Sequence, residues 1–355
     1  MRKRLVLLLL PWVLGCQPAK QDKEIVYEEE IFDESTVTAS LGHALLSDYG
    51  FFTGDQKELN PAENVFPYEL NSPLFSDYAL KKRFIYLPAG SKVNYNDTEV
   101  MDFPVGSVLI KNFYYSDDQL ENQAGRIIET RLLIHEEEGW KALPYIWNEE
   151  QTDAKLEITG GTHQVSLNGK KPINYLVPNI AQCKGCHELN GKIAPIGPSA
   201  RQLNRMNDFD GESKNQLIQL AESGFLKGLP KLEDVPKLAS YDHPESGSLD
   251  DRARAYLEVN CAHCHRLEGP AKNSGLYLLA GNENREEVGI MKSPVAAGRG
   301  SGNLLYDIVP GKPDKSILVR RMNSTQADVM MPELGRKLVH AEGVELIREW
   351  IAGME

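Results

Sequence analysis

The chain has 355 residues, of which 41% are hydrophobic and 25% charged; this composition excludes a wholly disordered protein and allows two or three domains. Acidic residues outnumber basic ones by 51 to 39, and the formal net charge is −12. Nucleic acid is therefore not an expected partner, because binding to phosphate backbones requires surplus positive charge.

The amino terminus resembles a bacterial export signal. Basic residues at 2–4 precede an apolar run from Leu5 to Leu14 that is too short to span a bilayer. Gly15-Cys16 follows, as at the lipobox where lipoproteins are cleaved and acylated. We predict a signal peptide over 1–15 and a lipid anchor on Cys16 that holds the protein at the periplasmic side of a bacterial membrane, with the outer membrane favoured. The alternative, an ordinary secretory peptide with an incidental cysteine, also exports the chain.

Residues 16–58 are predicted to form a polar tether with one short helix, and 59–178 a β domain. The latter region alternates between apolar and polar positions with a period near two and is rich in β-forming residues. Turn signals at Glu138-Gly139 and Asn168-Gly169 separate its strands. The pattern predicts an all-β antiparallel sandwich or barrel.

The predicted β domain contains no catalytic motif. Its polar positions Glu129, Arg131 and Asp153 lie among apolar residues, and we interpret them as water-facing positions on strands. His135 and His163 are interpreted as surface or satisfied side chains. His163 stays a candidate ligand because it is close in sequence to the first of two cysteine motifs.

That first motif is Cys183-Lys184-Gly185-Cys186-His187, the attachment signature of c-type haem. At this spacing Cys183 and Cys186 can both reach the haem vinyl groups, and His187 then lies under the iron. The distal ligand of this haem 1 is not fixed by the sequence. Met206, another side chain such as His163 or His243, and an open or water-bound site are equally compatible.

The second copy is Cys261-Ala262-His263-Cys264-His265, which predicts a second covalently attached haem with Cys261 and Cys264 as its links and His265 as its axial ligand. His263 occupies the variable position of this motif and is interpreted as a non-ligand. A zinc ribbon is excluded, because its cysteine pairs stand about 15–20 residues apart and the interval here is far longer. With the fifth cysteine assigned to the lipid anchor, no thiol remains for a disulfide.

Met331 is the predicted distal ligand of haem 2. It precedes Pro332, and proline restricts the preceding residue to an extended backbone that can aim one side chain at the iron. Met330 is the adjacent rival. A capped helix beginning near Ser248 leads into the motif, and a last helix is predicted over 341–354. This order of helix, motif, Met-Pro and helix is typical of a class I cytochrome c domain.

The domains are therefore predicted as a haem 1 region and linker over 179–242 and a haem 2 domain over 243–355. The predicted fold class is an N-terminal all-β sandwich or barrel followed by two mainly α c-type haem regions, the second class I cytochrome c-like. Arg299, Arg320 and Arg321 could pair with haem propionates, with no single assignment.

Three stretches carry a family resemblance: 67–79, Glu129-Thr130-Arg131-Leu132, and 252–257 leading into Asn260 and the second motif. With them the chain resembles a family of exported bacterial diheme c-type cytochromes from about Tyr68 to the carboxyl end. The resemblance implies haem binding through the two Cys-x-x-Cys-His motifs and electron transfer, without a settled partner. It does not decide the role of Met206.

The favoured hypothesis is an electron-transfer protein, anchored by lipid and exchanging electrons with a dehydrogenase or another cytochrome. A diheme peroxidase or oxidase with an open haem 1 fed by haem 2 is the alternative, although no acid/base group for it can be named. A third hypothesis is a sensor whose open haem 1 binds a small gas. We predict no catalytic residue.

Overall fold

The computed structural model describes residues 41–121, 124–170, 172–209 and 211–355. The predicted signal peptide, the Cys16 anchor and most of the tether lie outside these residues. Within the described ranges, none of the helices combines the length and apolarity needed to cross a bilayer.

The strands account for most of the regular structure before the first motif and recur after it. In chain order they are β1 (Phe52–Thr53), β2 (Asn60–Pro61), β3 (Val65–Tyr68), β4 (Leu80–Tyr86), β5 (Val93–Asn94), β6 (Val108–Tyr115), β7 (Arg126–Glu136), β8 (Gly139–Trp147), β9 (Ala154–Leu156), β10 (Gly161–Val165), β11 (Ile173–Val177), β12 (Glu188–Leu189), β13 (Lys192–Ile193), β14 (Met206–Phe209), β15 (Glu212–Asn215) and β16 (Leu226–Lys227).

The helices are short. They are α1 (Ile180–His187), α2 (Ala200–Leu203), α3 (Gln216–Glu222), α4 (Leu249–Leu257), α5 (Ile317–Met322) and α6 (Ala341–Ala352). A π-helical turn over Glu258–Ala262 continues α4, and 3-10 turns lie at Ser47–Tyr49, Gln56–Glu58, Leu232–Asp234, Pro244–Ser246, Lys272–Ser274, Gly298–Ser301 and Pro313–Lys315.

One six-stranded antiparallel sheet, in the order β3-β4-β6-β7-β8-β9, lies at the centre of the fold. Its strands alternate as predicted, but both faces are buried. Phe84, Ile110 and Leu132 stand opposite one another on one face and pack against the segment before β3. Ile85 and Leu109, on the other face, pack against α2 and α3.

The predicted sandwich or barrel is therefore wrong. No second large sheet covers the first among the described residues, and the remaining strands form two-stranded sheets. Because loops, short helices and the β10–β11 hairpin cover the apolar faces, the sheet does not need a partner sheet or closure to exclude water. The alternation of apolar and polar residues identified the strands but could not identify which segments pack on them.

The prediction of two mainly α haem regions is also wrong. After α1 the chain forms the hairpins β12–β13 and β14–β15, and β16 pairs in parallel with β5. Between the second motif and α6 the only α-helix is α5. Those segments are rich in glycine, proline and asparagine, which favour turns over helices, so a helical class I cytochrome c domain does not form.

Several local predictions are confirmed. α4 begins at the predicted cap, where Ser248 accepts from the Asp251 N–H and the Asp251 carboxylate accepts from the Ser248 N–H. α6 covers most of the predicted last helix. The Asn168-Gly169 turn joins β10 to β11, with Gly169 at a φ of 68°.

Segments that were assigned to different predicted domains are joined by hydrogen bonds. The buried Asp77 carboxylate, just before β4, accepts hydrogen bonds of 2.7 Å from the backbone N–H groups of Lys337 and Leu338. The Phe75 N–H donates to Asn260 Oδ1 at 2.9 Å. The start of the central sheet therefore holds both the second motif and the chain that follows Met331.

Replacing Asp77 with alanine should lower the free energy of unfolding by about 2–4 kcal/mol, because two hydrogen bonds to a buried carboxylate acceptor are lost. Asp77→Asn is the matched control, since its side-chain oxygen can still accept both bonds and asparagine tolerates the positive φ of 50° at this position. Urea unfolding followed by circular dichroism measures both losses. If both variants lose the same free energy of unfolding, the side-chain oxygen at position 77 is not the stabilising hydrogen-bond acceptor.

Candidate cofactor site

The two Cys-x-x-Cys-His motifs lie against each other although 79 positions separate their contacting residues. The Cys264 thiol donates to the Gly185 carbonyl oxygen at 3.4 Å. Leu334 packs on the same glycine, where an added Cβ would come within 3.0 Å of its Cδ1. Gly185 is therefore the point at which the first motif, the second motif and the chain after Met331-Pro332 meet.

The first motif occupies α1. Asn179 caps this helix through a capping box with Gln182, and this Asn-x-x-Gln spacing is a helix-start signal in the sequence. The Cys183 side chain is buried, and burial raises the pKa of its thiol to about 11. Cys183 and Cys186 form no disulfide, so both thiols are available for another bond.

His187 ends α1 with a free imidazole nitrogen. Its Nδ1 is 3.1 Å from the Ala194 carbonyl oxygen, so Nδ1 carries the proton and the Nε2 lone pair remains available to a metal. Burial, opposed by this hydrogen bond, lowers the pKa of His187 to about 3. The ring is therefore neutral near pH 7, as an axial ligand must be.

His265 of the second motif is held in a similar way. Its Nδ1 lies 3.2 Å from Ser274 Oγ, and that oxygen also accepts from the Leu276 N–H. Burial, together with the charge of Arg321, lowers the pKa of His265 to about 4. The two predicted proximal ligands thus both have an oxygen atom on Nδ1 and a neutral ring.

The backbone of Met331 is fixed on both sides. Its N–H donates to the Arg321 carbonyl oxygen at 3.1 Å, and its own carbonyl oxygen accepts from Arg336 Nη2 at 2.8 Å. Arg321, whose charge acts on His265, also donates from Nε to the Val329 carbonyl oxygen at 3.0 Å. His265 and the Met331 segment therefore share Arg321 as a neighbour. Met330 is buried, whereas Met331 is half-buried.

A cavity of about 810 Å³ lies beside the first motif, and we call it the central cavity. One wall is the central sheet, the second is the end of α1 with residues 194–199, and the third is the π-helical turn after α4 with His263 of the second motif. Cys186 and His187 line it from the second wall, and His263 lines it from the third. Its volume lies within the range of roughly 300–1,000 Å³ usual for small-molecule and cofactor sites.

Three cations form a row on the sheet wall, which we call the cationic row. Arg83 on β4 stands directly opposite Lys111 on β6, and Lys111 stands opposite Arg131 on β7. All three line the central cavity. Like charges placed opposite one another destabilise a sheet, so the row needs negative charge nearby.

The carboxylates among the described residues neutralise only part of the positive charge of the cationic row. Glu129, which is fully buried, accepts from Arg131 Nε at 2.8 Å and from the Tyr175 hydroxyl at 2.6 Å. Glu69 is 3.7 Å from Arg83 and half-exposed. Arg83 is 5% exposed, and its Nη2 is buried without a partner among the described residues. Burial, with the charges of Arg83 and other cations, lowers the pKa of Lys111 well below its usual value.

The interpretation of Glu129 as a water-facing position is therefore wrong. The signal that we missed is that Lys111 follows the apolar run Val108-Leu109-Ile110 and Arg131 precedes the apolar run Leu132-Leu133-Ile134. Both faces of these strands are therefore apolar beside the cations, where a water-facing residue is not expected.

The structure does not bring the remaining candidates to the central cavity. Met206 lies on β14, where its side chain is 57% exposed, and it does not line the cavity. His163 is half-buried on β10, and His243 is exposed with Nδ1 3.5 Å from Glu245. Arg299 is exposed beside Asp328, and Arg320 donates to the Gly300 carbonyl oxygen.

Among the residues that the structure describes, no group of three or more histidine, cysteine, aspartate or glutamate side chains is arranged to hold a bare metal ion. No protein-family model, curated protein or solved structure matches the chain. The proposals below therefore depend on the residues and their geometry.

Proposed function

We propose that the protein is an exported, lipid-anchored diheme c-type cytochrome that carries electrons between redox partners. The observation that carries this proposal is the contact between the two attachment motifs at Gly185 and Cys264. Electron tunnelling slows steeply with distance, so haems attached to adjoining motifs are well placed to exchange electrons. Bound haem supplies the one-electron iron couple.

The residues around the first motif fit such a group. Cys183 and Cys186 are unpaired thiols, and His187 offers a neutral imidazole with Nδ1 already bonded. The cationic row, with an orphaned nitrogen on Arg83, would hold the two propionate carboxylates and gain the negative charge that it lacks. The apolar lining residues on the sheet wall, Leu109, Ile110 and Leu133, would pack against the macrocycle.

The residues around the second motif supply two thiols and two ligands. His265 is oriented by Ser274, and Met331 is held by Arg321 and Arg336. A methionine thioether together with a histidine imidazole would fill both axial positions of a haem iron and raise its reduction potential. Such a haem suits electron transfer rather than substrate binding. The lipobox-like sequence at Cys16 supports a membrane anchor, and a redox protein at the periplasmic side is the expected partner.

The test is a count of covalent haems on the full chain produced with the bacterial c-type maturation machinery. We expect two haems per chain, one after Cys183→Ser with Cys186→Ser, and one after Cys261→Ser with Cys264→Ser. Intact mass and the haem absorbance of the denatured protein give the count. A chain without covalent haem would refute the proposal.

The Cys16→Ser variant is the matched control for the cysteine substitutions. It should keep both haems and move the protein from the membrane to the soluble fraction. If membrane association is unchanged, the lipid-anchor part of the proposal fails while the haem assignments stand.

A further inference from the structure

We propose that Arg336 is the positioning residue for the distal ligand of haem 2, because its guanidinium clamps the backbone of Met331. This inference rests on the proposed function and deepens it, since it assigns the strength of the methionine–iron bond to a residue outside both attachment motifs. Loosening the clamp should make haem 2 easier to open without changing its covalent attachment.

The guanidinium of Arg336 lies among backbone carbonyl oxygens. Its Nη2 is 2.8 Å from the carbonyl oxygen of Met331 and 2.9 Å from that of Ser324. The carbonyl oxygens of Arg321 and Met322, the last residues of α5, lie 3.3 and 3.2 Å from the same nitrogen. A cation is favourable at the carboxyl-terminal end of a helix. Arg336 therefore joins the Met331 segment to the end of α5.

Both backbone polar groups of Met331 are bonded across this junction. Its N–H donates to the Arg321 carbonyl oxygen at 3.1 Å, and its carbonyl oxygen accepts from Arg336. A rotation about either backbone torsion of Met331 would break one of these bonds. The side-chain torsions are therefore the freedom that remains to the thioether, as the positioning of a ligand requires.

The clamp is also fixed to the central sheet. Nη1 of Arg336 donates to the Leu338 carbonyl oxygen at 2.9 Å. The Leu338 N–H donates in turn to the buried Asp77 carboxylate at 2.7 Å. Arg336 itself is 6% exposed. Its guanidinium therefore holds the Met331 segment against a part of the fold that does not move with that segment.

The neighbouring arginine contacts this segment less directly. Arg321 donates from Nε to the Val329 carbonyl oxygen at 3.0 Å, and its Nη2 is 3.9 Å from the exposed Glu333. The side chain of Arg336 instead bonds the ligand residue itself. Lysine could not replace it, because a single ammonium lacks the planar fork that reaches Leu338 and Met331 together.

The experiment is an optical titration of the full, oxidised holoprotein with imidazole. Loss of the methionine-to-iron absorption band reports that imidazole has displaced Met331 from haem 2. We expect Arg336→Lys to keep two covalent haems and to bind imidazole at haem 2 about 10-fold more tightly or more, which corresponds to about 1.4 kcal/mol. The affinity rises because the competing methionine–iron bond is no longer supported by the charged hydrogen bond to the Met331 carbonyl oxygen.

Arg254→Lys is the matched control. Arg254 also directs Nη2 at backbone carbonyl oxygens in this half of the chain, those of Leu279, Ala280 and Asn282. This substitution removes the same kind of contact from a different segment. The affinity of haem 2 for imidazole should therefore stay unchanged.

An unchanged affinity in Arg336→Lys would overturn the inference, and so would an equal gain in both variants. Two covalent haems without a methionine band in the unaltered protein would also overturn it. If Arg336→Lys does not accumulate, hydrogen exchange of the unaltered holoprotein decides instead. The Met331 N–H should then exchange as slowly as the Leu338 N–H, and much faster exchange at Met331 would contradict the clamp. Failure of the proposed function is distinguishable, since it appears as missing covalent haem.

Discussion

Replacing Glu129 with alanine should lower the free energy of unfolding by about 3–5 kcal/mol. Glu129 is fully buried on β7 and is the carboxylate that neutralises Arg131, while its other bond goes to the Tyr175 hydroxyl. Removing one partner of a buried ion pair leaves the other charge uncompensated. Here the uncompensated charge is that of Arg131, which belongs to the cationic row. The substitution therefore affects more than one bond.

Urea unfolding of the Glu129→Ala chain, compared with Glu138→Ala, measures this loss. Glu138 lies in the β7–β8 turn and is exposed, so its removal should change the free energy of unfolding by less than about 0.5 kcal/mol. Tyr175→Phe, which removes one hydrogen bond and keeps the ion pair, should cost about 1 kcal/mol. Equal losses for Glu129→Ala and Tyr175→Phe would contradict the importance of the ion pair.

In the proposed diheme cytochrome, replacing Met331 with alanine should lower the midpoint potential of haem 2 by on the order of a tenth of a volt or more, because axial ligands set haem potentials over a range of about 0.8 V. Loss of the thioether also opens the iron, so the variant should become partly high-spin and bind carbon monoxide. Potentiometric titration with optical detection measures the shift. The haem count should stay at two, since both thiols of the second motif are retained.

Met330→Ala is the matched control for this substitution. Met330 is the neighbouring residue and is 6% exposed, so its loss should reduce stability while the haem 2 spectrum stays low-spin. If Met330→Ala opens the iron and Met331→Ala does not, the choice within the pair is wrong. The Arg336 bond to the Met331 carbonyl oxygen would then serve to orient Met330 instead.

Local chemistry made part of this structure predictable. The Ser248 cap, the Asn168-Gly169 turn and the alternation along β6 and β7 each depend on residues close together in the chain. The two attachment motifs are also local signals, because five consecutive positions contain the whole signature, and haem attachment to them stays a prediction. Such features need no knowledge of the tertiary fold.

The rest depends on contacts between distant segments. Neither motif indicates that Gly185 touches Cys264, and nothing near Lys111 indicates that Arg83 and Arg131 stand beside it. The register of β4, β6 and β7 determines that the three cations stand side by side. A shift of β6 by one residue would place Lys111 on the other face of the sheet. The second haem region is predicted to be helical because a capped helix leads into its motif and another helix follows Met331-Pro332, whereas the sequence between those two helices favours turns.

In the proposed cytochrome, burial of the Cys183 thiol would set an order for biosynthesis. At 8% exposure on a helix packed against the central sheet, this sulfur is beyond the reach of an attachment enzyme once the fold has closed. A segment far downstream packs on the same helix, since Leu334 lies against Gly185. In the proposed cytochrome, haem attachment to Cys183 would therefore precede this packing, and a chain that folded before attachment would be trapped as a stable, colourless product.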